Sequence, residues 1–317
     1  MDKPLVSNRA LLMDALAGLR AKPKRMHPKW FYDHAGSKIF QRITELPEYY
    51  PTRTEISILR HEIDAIASYV PEGAALIELG SGASTKTHIL LGALKTLDAY
   101  VPIDVSGDFL LSVADDLARA YPALTVAPLV GDFLEDLALP SATDGAPKVA
   151  FFPGSTIGNL EPPEALDLLN RLRSWPDISA FILGVDLVKA PRTLILAYDD
   201  PAGVTAEFNR NLLHRMNREA GADFQTEEFA HDARWNAALS RIEMHLVSRK
   251  VQEIHLGADR IAFDEGESIH TESSHKYTRN AVEDLAAGAG WHVAEFLTDP
   301  DRHFAVTVLV PAQTRSA

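Results

Sequence analysis

The 317-residue sequence predicts an α/β fold, a doubly wound Rossmann-like sheet with a second, smaller α+β domain. Three observations predict it. Residues 76–87 read as a buried strand, a glycine turn and the start of a helix. Strands and helices then alternate as far as residue 185, the pattern of a parallel sheet covered on both faces. Over residues 189–277 the alternation breaks, and it resumes as one helix and two strands.

Composition narrows the partners. Apolar residues make up 46% and charged residues 24%, ordinary for a globular protein with a sizeable core. Forty-four acidic against 31 basic residues give a net charge of −13, which disfavours nucleic acid and anionic membrane and suits small or cationic ligands. With no cysteine there is no disulfide framework, thiolate metal site or thiol nucleophile. No apolar run is long enough to span a bilayer, so a cytoplasmic location is expected, and separately a monomer. His61-Glu62 lacks a following histidine at zincin spacing and the other histidines are dispersed, so no metal is expected.

The elements follow in order. Leu11, Leu12, Ala15, Leu16 and Leu19 recur at helical spacing. Trp30, Phe31, Tyr32, Tyr49 and Tyr50 flank a short helix at 37–44 and form either a satellite core or a pocket wall. Thr52 and Glu55 have capping-box spacing, which would start the helix carrying Ile56, Leu59 and Ile63 and needs no functional role. Strand 74–79, helix 86–97, strand 100–104, helix 107–120, strand 124–130, strand 148–152, helix 163–172 and strand 180–185 build the first sheet. A helix at 205–220 and extended segments at 242–247 and 251–256 belong to the insertion. Helix 281–287 and strands 291–297 and 304–310 complete the sheet.

The glycine turn carries the cofactor question. A dinucleotide fingerprint needs a third glycine where Thr85 stands, and a phosphate-binding loop needs glycine before Lys86-Thr87. Asp104 ends the second strand, where an acid can accept from both ribose hydroxyls of an adenosyl group or can cap the next helix. Asp132 and Phe133 follow the third strand, suited to an adenine amine and its ring. Gly154 and Gly158 open the loop after the fourth strand, where Ser155, Thr156 and Asn159 offer polar groups to a substrate.

Glu-Leu-Gly-Ser-Gly resembles the first motif of class I S-adenosylmethionine methyltransferases. Together with Pro-Glu-Tyr-Tyr-Pro-Thr-Arg-Thr-Glu, Gly-Ser-Thr-Ile-Gly-Asn-Leu, Ala-Tyr-Asp-Asp, Phe-Asn-Arg-Asn and Arg-Ile-Glu-Met, it makes nearly the whole chain resemble the histidine Nα-methyltransferases of ergothioneine biosynthesis. That resemblance implies S-adenosylmethionine as cofactor and trimethylation of L-histidine to hercynine. It implies a methyltransferase domain over 54–188 and 277–317 and a substrate domain over 1–53 and 189–276. By matching motif, the cofactor meets Gly80, Lys86, Asp104, Asp132 and Phe133. Asn159 and Tyr198 hold the amino acid's carboxylate and amine near Gly154 and Thr156, and Tyr32 and Tyr49 match pocket tyrosines, Tyr32 as a candidate proton relay. Glu272 and Ser274 match the imidazole-binding pair and Met244 the adjoining wall. In an extended segment residues two apart share a face, so that pair can address one ring.

Other functions are weighed against this one. An enzyme methylating another aromatic amino acid or amine would bury Glu272 against an apolar ring at a desolvation cost. A non-catalytic adenosyl-ligand sensor would have no use for the polar substrate set, and a dehydrogenase lacks its third glycine.

Overall fold

In the computed structural model, residues 6–82 and 85–313 are described. The chain divides into two compact units, one of Met1–Tyr50 with Lys189–Ser274 and the other of Pro51–Val188 with His275–Ala317.

The second unit is built on a sheet with the strand order Trp291–Thr298, Phe304–Pro311, Ile178–Asp186, Lys148–Phe152, Ala75–Leu79, Ala99–Asp104 and Thr125–Val126. Phe304–Pro311 runs antiparallel to both its neighbours, and the pairings from Ile178–Asp186 to Thr125–Val126 are parallel. Such a sheet is the Rossmann-like one predicted. Strand alternation explains why it can be covered twice. Ile77, Leu79, Val101, Ile103, Ala150 and Phe152 join one apolar cluster, whereas Leu76, Tyr100, Val149 and Phe151 join another. Ala75–Leu79 is the first strand of the sheet, and the chain builds outward from it on one side before returning to the other, so its carboxyl end is a switch point where α/β sheets bind ligands.

Three elements depart from expectation. The strand expected at 124–130 is split into Thr125–Val126 and Leu129–Val130, because Pro128 has no N–H to give to the ladder. The helix expected to 97 ends at Ala93, although Leu94 and Leu97 stay buried. The helix expected to start at Thr52 spans Tyr50–His61 with Pro51 in its first turn, which carries Glu55 past the capping position.

The first unit has a four-stranded sheet ordered Lys24–Arg25, Ser268–His275, Arg241–Ser248 and Phe229–Asn236, plus the hairpin Gln252–Leu256 and Asp259–Phe263. Phe208, Leu212, Leu213 and Met216 of the helix Val204–Glu219 share one apolar cluster with Ile242, Met244 and Leu246 of the sheet. Among the described residues no helix is long and apolar enough to cross a membrane.

Candidate functional site

Gly80 (φ +65°) and Gly82 (φ +47°) turn the chain in the left-handed region that disfavours side chains. The Gly80 N–H donates to Ile103 O at 2.8 Å, which pins the turn to the end of the neighbouring strand. A Cβ at Gly80 would touch the Phe133 ring at 3.6 Å, and that ring packs edge-on against Phe152. The expected glycine motif continues into Ala83 and Ser84, which lie outside the described residues.

The acids lie at strand ends. Asp104 accepts from the Gly82 N–H through Oδ2 at 3.3 Å and from the Ser106 N–H through Oδ1 at 2.9 Å. The next helix, Gly107–Ala120, has no side-chain cap, so Asp104 braces the glycine turn. Asp132 accepts from the Leu134 N–H at 3.0 Å just after Leu129–Val130, with Phe133 beside it.

One residue of this site was missed in the sequence. Glu55, expected to be a capping acid, is fully buried and forms an ion pair with Lys86. Its two oxygens also accept from the Gly154 N–H at 3.0 and 2.9 Å. A single carboxylate thereby ties the cofactor-turn helix to the loop after the fourth strand, and a Cβ at Gly154 would sit 3.3 Å from Lys86 Nζ. The available signal was helical phase: Glu55 shares a face with Ile58 and Leu59, both core residues, so the acid occupies a buried position.

A second buried carboxyl lies in the first strand. Thr87 and Tyr100 hydroxyls each donate to Glu78 Oε2 at 2.6 Å. Burial pushes this carboxyl up to about 7, against the lowering effect of those hydroxyls and of Lys86. Because the folded-state value is raised, the contribution of Glu78 to stability is full below its unfolded value near 4.5 and is lost as pH rises through about 7. The loss expected across that window is about 3 kcal/mol. Chemical denaturation from pH 5 to 8 should show this decline in the native protein and a flatter profile in Glu78→Gln; identical profiles would contradict it.

The loop carrying Thr156 and Asn159 is held from several sides. Ser155 sits at φ +56°, rare without glycine, while its Oγ accepts from the Asp186 N–H at 2.8 Å. Asp186 is fully buried and ion-paired with Lys276 at 2.8 Å. A Cβ on Gly158 would meet His275 O at 2.7 Å, so only glycine allows this approach. Thr156 Oγ1 donates to Pro153 O at 2.9 Å, and Asn159 is half-buried at the end of the 3-10 turn Thr156–Asn159.

In the other unit the expected aromatic residues do converge. Tyr198 OH and Ser274 Oγ are 2.8 Å apart, and Tyr49 meets the Tyr198 ring edge-on at 6.3 Å. Phe40 links Tyr49 to Tyr32, whose ring also packs against Phe208. His231 Nε2, 2.7 Å from Tyr198 O, secures the end of the helix Pro191–Tyr198. Glu272 and Ser274 are buried on Ser268–His275, and Met244 is buried on Arg241–Ser248, where the Thr271 hydroxyl donates to its carbonyl at 3.0 Å.

Comparison with known proteins places these features in context. The family model for SAM-dependent histidine-specific methyltransferases matches residues 11–311. A histidine N-alpha-methyltransferase of Mycobacterium tuberculosis is 43% identical, covering 94% of each chain. The protein of the same name from Mycolicibacterium smegmatis is 42% identical over 95% of each. Ergothioneine biosynthesis protein 1 of Neurospora crassa is 32% identical over 63% of this chain and 23% of its own length.

Proposed function

The chain belongs to the SAM-dependent histidine-specific methyltransferases, and from that membership and the site geometry we propose how its residues divide the reaction. The activity is Nα-methylation of L-histidine in ergothioneine biosynthesis, with three successive transfers giving hercynine. The observation that carries the residue assignment is the convergence of Gly80, Asp104, Lys86 and the Gly154 loop at the sheet's switch point.

The residues present fit S-adenosylmethionine. Gly80 and Gly82 leave room for close approach to the backbone, and Asp104 and Asp132 place carboxylates at successive strand ends. When bound, S-adenosylmethionine supplies an electrophilic methyl on a cationic sulfonium. Asp104 would hold the cofactor's ribose hydroxyls, Asp132 its adenine amine, and Phe133 would face the base. Lys86, held by Glu55, presents its ammonium to a carboxylate. We assign the cofactor to residues 54–188 and 277–317, and the histidine side chain to residues 1–53 and 189–276.

The Asn159 amide offers a donor and an acceptor to the amino acid's main-chain groups, as does the Tyr198 hydroxyl. Tyr49 lines the same ring group, with Gly154 and Thr156 shaping the loop. Transfer needs the amine lone pair about 3–3.5 Å from the methyl carbon, so orientation is the main contribution of these contacts. An α-amino group titrates at about 8, so its proton can leave to water, and we propose the Tyr32 hydroxyl as a relay that accepts this proton while passing its own on to solvent. Glu272 and Ser274 address the imidazole nitrogens, with Met244 as the neighbouring wall. We propose a cytoplasmic location for the enzyme.

Paired calorimetry tests the division. Asp104→Ala should weaken S-adenosylmethionine binding by about ten- to a hundredfold, the effect of losing a charged acceptor. Asn159→Ala should impair histidine binding and leave cofactor affinity close to native. Reversal of these effects would mean that strand end and loop serve each other's ligand.

A further inference from the structure

Glu243, His245 and His270 belong to none of the contacts assigned to cofactor or histidine. They each offer one ligand atom, and these atoms lie within 4.8 Å of one another. Glu243 and His245 are two apart on one strand and project from the face opposite Met244, while His270 comes from the strand Ser268–His275. The two imidazoles stack with centroids 5.0 Å apart and planes 20° apart. Their separation in sequence conceals this cluster, and the sheet brings it together.

The distances and the surrounding contacts suit coordination. Glu243 Oε2 lies 3.4 Å from His245 Nε2. Two ligand atoms about 2.0–2.1 Å from one tetrahedral ion are separated by close to that distance. Arg241 Nε and Asn236 Nδ2 donate to the other carboxylate oxygen, Oε1, at 2.7 and 3.0 Å, which aims Oε2 at His245. Ser268 Oγ is 3.2 Å from His245 Nδ1, and Glu272 O is 3.0 Å from His270 Nε2. Hydrogen bonds to the second nitrogen are what orient metal-binding imidazoles and fix their tautomers.

We propose that Glu243, His245 and His270 bind a divalent transition-metal ion of the zinc class, with at least one coordination position left to water. Two imidazoles and a carboxylate suit such ions and are poorly matched to magnesium or calcium, which take oxygen ligands. The ion joins His270, two residues before Glu272, to the adjacent strand. This proposal stands on the cluster alone and does not depend on the assignment of the histidine pocket.

Calorimetry with zinc chloride on chelator-treated protein tests it. One zinc per chain should bind, with affinity lowered at least about tenfold in His270→Gln and His245→Gln. Zinc should raise the melting temperature of the native protein and leave that of His270→Gln unchanged. Should the buried His245 variant fail to fold, the half-buried His270 variant decides the question. His303→Gln is the control: it removes the group Asp299, Asp301 and His303, whose Asp299 carboxylate already accepts from the backbone of residues 301, 303 and 304. Absence of saturable binding would overturn the proposal. Equal zinc affinity in native and His270→Gln protein, or a loss confined to His303→Gln, would overturn it as well.

Discussion

Glu55→Gln is expected to destabilise the protein by about 3–5 kcal/mol, the range for removing one partner of a buried ion pair. The Glu55 side chain is fully buried and that of Lys86 is 16% exposed, so the loss should lie toward the lower end. The amide would still accept from the Gly154 N–H but would leave the ammonium without its counter-charge. Because the carboxylate also spaces the Gly154 loop from the cofactor-turn helix, cofactor affinity should fall with stability. Gly184→Ala should do similar damage without touching any charge, since a Cβ there would collide with Glu55 Oε1. Urea denaturation and S-adenosylmethionine calorimetry provide the readings. Native stability in both variants would show that the carboxylate contributes little to holding this part of the fold.

The double change Glu272→Ala/Met244→Val should convert histidine preference toward tryptophan. A buried carboxylate rewards a ring with an N–H donor within its reach, and a ring whose donor lies elsewhere forfeits that hydrogen bond at roughly 1–3 kcal/mol. Removing it penalises histidine more than a bulkier aromatic. Shortening Met244, 2% exposed, opens volume for the larger ring. Each change relieves one barrier, so their effects on kcat/KM should couple when combined. Steady-state kinetics of the native, single and double proteins with both amino acids will measure this. Unchanged histidine preference in the double variant would remove both residues from the side-chain pocket.

Much of the fold was legible because the signals are local. The buried run before Gly80 and the regular return of strands predicted the parallel sheet, and period-two alternation accounts for its two apolar faces. What escaped depends on tertiary context. The Thr52–Glu55 spacing imitates a capping box, yet Pro51 moves the helix start and the acid turns into the core. Pro128 interrupts a strand that its apolar neighbours suggested was continuous. The hairpin Gln252–Leu256 and Asp259–Phe263 was half anticipated, because only its first strand carried a long extended signal. His245 and His270 read as dispersed histidines until strand pairing set their rings together. The strand ends that carry Asp104 and Asp132 could be read from a single sequence, whereas the buried charges that brace the neighbouring loops could not.

Incubating the purified protein with S-adenosylmethionine and each amino acid in turn, followed by mass spectrometry of the products, tests the central claim most directly. The account predicts that histidine alone accumulates species heavier by one, two and then three methyl groups, all on the α-nitrogen. Absence of methylated histidine, methylation on the imidazole ring, or preferential methylation of another amino acid would contradict it.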